Sequence, residues 1–117
     1  MSEPFTVTPT DGQGRAVVLR VRGRLDAKSS PELVRHCKEA RPAGAHLVLN
    51  LAGVSFLSSA GVGALLALAE SCREEGGTLR LSPISAATRS VLELLNLQHF
   101  LTIDDSEEAA LSALKAA

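Results

Sequence analysis

Apolar and polar positions change period several times along the chain, and each change marks an element. From His46 to Leu57 the segment HLVLNLAGVSFL is dense in aliphatic residues, broken by Asn50 and by Ala52–Gly53. This predicts a buried strand that turns through Ala52 and Gly53 before running on through Val54 and Phe56. Past Ser58 and Ser59, the apolar residues Val62, Leu65, Leu66, Ala69 and Cys72 recur at three- and four-residue spacing. That is one face of a helix beginning at the serine pair. Glu74, Glu75, Gly76 and Gly77 end it in a glycine cap.

The same reading extends in both directions. Phe5 to Thr8 predicts a short edge strand before Pro9, and Asp11, Gly12 and Gly14 a turn. Ala16 to Gly23 alternates, with Val17, Leu19 and Val21 inward and Arg20, Arg22 and Arg24 on a solvated face. Ser30, Pro31 and Glu32 open a helix that buries Leu33, Val34, Cys37 and Ala40 and stops at Pro42 and Gly44. Leu79 and Leu81, around Arg80, predict a strand closed by Ser82 and Pro83. A helix over Ala86–Leu95 is expected to bury Val91, Leu94 and Leu95 and to stop at Asn96. Phe100 to Ile103 reads as a last strand. Asp105 and Ser106, ahead of Glu107 and Glu108, cap a final helix that docks through Leu111 and Leu114. Strands alternating with helices predict an α/β fold with a mixed sheet of about four to five strands, a mostly parallel centre, an antiparallel start and about four helices. Residues 1–117 are expected to form one domain.

Composition narrows the class. Of 117 residues, 45% are hydrophobic and 21% charged, the make-up of a globular chain able to bury a core without disulfides or metals. A formal net charge of −1 argues against nucleic acid or an anionic membrane as the main partner. Cys37 and Cys72 fall on the apolar faces of two predicted helices, too far apart in sequence for a metal spacing, which fits buried thiols in a reduced, cytoplasmic protein. His36 and His46 have no ligand partner at metal spacing. No export signal or spanning run is read at the sequence level, so membrane insertion is not expected. No feature of the sequence sets an oligomeric state.

The serine pair carries the chemistry. The first N–H groups of a helix lack internal partners, and the peptide dipoles place partial positive charge there, so an anion is welcome. A serine can cap one of those donors. A phosphate on it, with about −1.5 to −2 charges, is tolerated by the free domain but not inside a contact with another protein. A catalytic use fits less well. A nucleophile elbow needs glycine where Leu57 stands, and Gly61 and Gly63 lack the third glycine or the lysine of a phosphate-binding loop. No metal cluster or paired carboxylates stand out, so neither an enzyme nor a cofactor is expected.

The run FLSSAGVG, Phe56 to Gly63, and the GRLD step, Gly23 to Asp26, resemble the signatures of STAS domains of the anti-sigma factor antagonist group. The resemblance extends from about Ala16 to Leu114 and implies the STAS fold. It places Ser59 on the family's phosphorylated position, with Ser58 the runner-up. Ser58 stands where the family has Asp, and Ala60 where it has a second hydroxyl residue. The resemblance further implies a partner surface of Asp26, Ser58, Ser59, Ala60, Gly61 and Val62. The implied role is that of an anti-sigma factor antagonist: the bare form binds an anti-sigma factor that is also a serine kinase, phosphorylation reverses binding, and a phosphatase restores it. The alternative is a scaffold subunit of a signalling or lipid-transport complex that is never phosphorylated.

Overall fold

A computed structural model of the chain describes residues 4–10 and 15–116. The expected turn at Asp11, Gly12 and Gly14 lies outside them. Five strands, β1 (Thr6–Thr10), β2 (Ala16–Leu25), β3 (His46–Leu57), β4 (Leu79–Ile84) and β5 (Thr102–Ile103), form one sheet in sequential order. Four helices accompany them: α1 (Ser30–Ala40), α2 (Ser59–Glu74), α3 (Ala86–Leu94) and α4 (Glu107–Ala116). β1 is antiparallel to β2, and the remaining pairs are parallel. β1 runs through Pro9, opposite Leu19, because an edge strand can place a missing N–H on its open side.

The sheet has two covered faces. Leu19, Val21, Leu47, Leu49, Leu51 and Leu81 pack with Leu33 and Cys37 of α1, Val62, Leu65 and Leu68 of α2, and Leu92 of α3. On the reverse face Val18 and Val48 meet Ala110, Leu111 and Leu114 of α4. β2 keeps the predicted alternation at Leu19 and Val21, which are buried, and at Arg20, Arg22 and Arg24, which are exposed, and departs from it at Val18, which is buried. α4 covers the second face at Val18, and Arg20, exposed beyond it, donates to Glu107 at 2.9 and 3.0 Å.

β3 departs from expectation where it matters most for the site. The anticipated turn at Ala52–Gly53 is strand. Arg20 and Arg22 of β2 pair with Asn50 and Gly53, and Gly23 and Arg24 with Val54 and Phe56, so β3 carries one extra residue at each of two bulges. Inward positions accordingly step from 47, 49 and 51 to 54 and 57. Each inserted residue re-aims the side chains beyond it, which leaves Phe56 39% exposed and Leu57 buried.

β4 likewise extends through Pro83 to Ile84, with an irregular register against β3. β5 is only two residues long. α3 differs in its face: Thr88 and Leu92 are buried, whereas Leu94 is 85% and Leu95 50% exposed. Asn96, at φ 58°, ends the helix as expected.

Candidate functional site

β2 and β3 end side by side. Leu25 pairs with Leu57, and the Ser58 N–H donates to the Leu25 carbonyl at 3.0 Å, carrying the ladder one step past the strand. Ser58 keeps extended backbone (φ −92°, ψ 173°) and is the N-cap of α2. Its Oγ accepts from the Gly61 N–H at 3.3 Å, and its carbonyl takes the first helical bond, from the Val62 N–H at 2.9 Å. Ser59, the first helical residue, is exposed. The expectation that the helix starts at the serine pair holds, and the two serines divide the work: one hydroxyl closes the helix, the other faces outward.

The first turn of α2 contains no acid, so its partial positive charge is not offset from within the helix. Gly61 is required beneath it. A Cβ there would lie 2.6 Å from the Leu25 carbonyl oxygen and 2.7 Å from Leu57 Cδ1. At Gly63 a Cβ would meet nothing within 4 Å, and the residue is exposed. Only the first of the motif's glycines is therefore demanded by internal packing.

Asp26 sits one residue past Leu25, in the turn that leads to α1. Its Oδ1 accepts from the Ser29 N–H and the Lys28 N–H, both at 3.1 Å, and from the Ser29 hydroxyl at 3.2 Å. Those bonds, the Ser29 N–H foremost, hold the carboxyl below its ordinary pKa, with the Arg24 guanidinium 3.8 Å away adding to the effect. The Ser30 hydroxyl donates to the Asp26 carbonyl at 2.6 Å. Asp26 thus organises a turn, and it stays half-buried at the end of β2 beside the start of α2.

Of the other residues expected at a partner surface, Ala60 is half-buried, while Gly61 and Val62 are buried. The last two are corrected from contacts to supports, because consecutive helical positions rotate by about 100° and carry them under the first turn. Sequence reasoning missed the pair that flanks the site, since cross-strand neighbours depend on bulges that no local pattern encodes. The Arg24 guanidinium lies 4.1 Å from the centroid of the exposed Phe56 ring, opposite it in the ladder. Between α1 and α2 lies an open apolar groove of about 630 Å³, with Ala27, Val34, Ala60 and Ala64 among its lining residues.

Among the described residues no cluster of His, Cys, Asp and Glu could hold a metal, and no helix is long and apolar enough to cross a membrane. Cys37 and Cys72 are free and buried. Burial pushes the Cys37 thiol up to about 12 and raises that of Cys72.

Comparison with known proteins follows this geometry. The anti-sigma F factor antagonist of Paenibacillus polymyxa is 27% identical over 101 residues, 85% of this chain and 86% of that protein. The crystal structure of an anti-sigma factor antagonist from Mycobacterium paratuberculosis matches with a TM-score of 0.84 at 27% identity, over 98% of this chain and 99% of that one. SpoIIAA, an anti-sigma factor antagonist in its unphosphorylated form, shares the fold, with a TM-score of 0.73 at 22% identity over 97% and 98% of the two chains. The family model for the STAS domain matches residues 8–110, which take in the β2 end, the serine-capped junction and the start of α4. By that match and by its fold, this chain belongs to the STAS domain family.

Proposed function

We propose that this STAS domain is an anti-sigma factor antagonist whose binding is switched by phosphorylation of Ser59. The observation that carries the reading is the division of labour at the start of α2: Ser58 caps the helix, and the Ser59 hydroxyl stays exposed. The free domain can accept a dianion there without losing a structural bond. The start of a helix also offers it a favourable field.

In the bare state the domain presents Ser59, Ser58, Ala60 and Asp26 to an anti-sigma factor that is also a serine kinase, and the sigma factor is released. Transfer of the γ-phosphoryl group of ATP to the Ser59 oxygen, with ADP leaving, then places charge inside the contact. An unpaired charge held out of water in an interface costs several kcal/mol. A loss of roughly 3 kcal/mol lowers affinity about a hundredfold, enough to exchange partners. A phosphatase resets the cycle in the cytoplasm. The domain is ligand and substrate, not catalyst.

The test is incubation of the purified chain with ATP and the anti-sigma kinase of its own organism, followed by peptide mass spectrometry. Phosphate on Ser59, lost in Ser59→Ala but retained in Ser58→Ala, is the expected result. Ser59→Ala should still bind the kinase, and Ser59→Asp should bind at least tenfold more weakly. Phosphate on Ser58 would overturn the residue assignment. No phosphate on either serine, with binding insensitive to Ser59→Asp, would favour a permanently bound scaffold subunit. That reading draws on the neutral Ser58 standing in place of the family's Asp.

A further inference from the structure

We infer that the open end of the sheet's reverse face, built on Arg22, Arg24 and Phe56, is a docking surface for an acidic segment of the anti-sigma factor that binds at Ser59. The partner's identity rests on the reading of Ser59 as its switch; the surface itself does not. α4 begins at Glu107, which takes Arg20 and Asn50, and runs from there over Val18 and Val48. Side chains alternate along β2, so Arg22 and Arg24 stand on that same face, past the start of the helix. Both are exposed, as is Phe56, which pairs with Arg24 in the ladder.

The two arginines are held in place yet lack acids. A Cβ at Gly53 would lie 2.7 Å from Arg22 Cγ, so the Arg22 stem lies across β3 at the first bulge. The Arg24 guanidinium lies over the Phe56 ring, which fixes it without using up its N–H donors. Among the described residues Arg22 forms no ion pair. Arg24 has only Asp26, whose Oδ2 stands 3.8 Å from its Nε, beyond hydrogen-bond distance. The third arginine of the row shows what such a position accepts: Arg20 donates twice to the Glu107 carboxylate. Carboxylates are what Arg22 and Arg24 lack, and the Phe56 ring adds an apolar contact beside them. Two cations and one ring, on a chain of net charge −1, are too few to hold a nucleic-acid backbone or an anionic membrane. The surface also adjoins the candidate site, since Arg24 precedes Asp26 by two residues and Phe56 precedes Ser59 by three.

Titration of the full chain with a hexaglutamate peptide, followed by NMR, tests the surface without the natural partner. Amide shifts are expected at Arg22, Arg24, Gly53 and Phe56, and their loss in the R22E/R24E chain. Affinity for the anti-sigma factor of the same organism is the second readout, on variants whose melting temperature is unchanged. Arg22→Glu and Arg24→Glu should each weaken binding about tenfold, chiefly through slower association, with a shallower dependence on salt. Absence of hexaglutamate shifts at these residues would overturn the proposal. So would an Arg22→Glu chain that binds the anti-sigma factor like the unmodified one, or equal shifts with a thymidine oligonucleotide, which would assign the face to nucleic acid. Weakening by Arg22→Glu but not by Ser59→Asp would keep the surface and remove the switch; the reverse pattern would keep the switch and remove the surface. An anti-sigma factor that fails to bind at all would count against the Ser59 reading, with the hexaglutamate titration still deciding the surface.

Discussion

At the scale of single residues, the junction between β3 and α2 is decided by what lies within 4 Å of each small side chain. Gly61 and Gly63 look alike in sequence, two residues apart in one motif, yet the space around them differs. Gly61→Ala would drive a methyl group against the Leu25 carbonyl, a backbone atom that cannot swing aside. A loss of about 1–3 kcal/mol is expected, read as a lower denaturation midpoint. Gly63→Ala adds a methyl group in open space inside a helix, so a gain of about 1 kcal/mol is expected in the same measurement. Should Gly63→Ala also weaken binding of an anti-sigma factor, the absent side chain serves a partner's approach. Asp26 shows the same limit of local reading. The GRLD step singles it out, but only the folded turn reveals how many donors its carboxylate already satisfies.

At the scale of elements, two carboxylates clasp the sheet. Asp104 accepts from Arg80 twice at 2.9 Å and from the Ser82 hydroxyl at 2.6 Å, tying the end of β5 to β4. Glu107, at the start of α4, accepts from Arg20 and, at 2.6 Å, from Asn50. The guanidinium partners come first among the causes that hold both carboxyls below their ordinary pKa. A depressed folded pKa means that stability is fully present above the unfolded value, near 4, and is lost as pH falls through the folded value. Melting temperature should therefore stay level from neutral pH down to about 5 and drop below about 4. Asp104→Asn, expected to cost about 2 kcal/mol at neutral pH, should make that acid limb shallower. An acid limb identical to that of the unmodified chain would show that the clasp contributes nothing. The central Asn50, a break in the apolar run when read along the chain, is explained only by α4 arriving on the reverse face.

At the scale of the whole molecule, the core divides between two faces of one sheet, and both thiols are sealed within the α1 and α2 side of it. Raised pKa values keep them protonated, and burial denies them access. Iodoacetamide at pH 8 should leave Cys37 and Cys72 unlabelled in the folded chain and label both in denaturant, a result that peptide mass spectrometry reads directly. Fast labelling of the native state would mean that α1 opens locally. The alternation of elements, the start of α2 at the serine pair, the glycine end of the same helix and the docking of α4 through Leu111 and Leu114 were all legible in the sequence. Each rests on local propensity, capping or helical period, and these act within a few residues. The two bulges in β3, the covering of Val18 by α4, the outward turn of Leu94 and the Arg24–Phe56 pair came only with the tertiary structure. Register and burial are set by contacts between segments distant in the chain, and one added residue in a strand reverses every side chain beyond it.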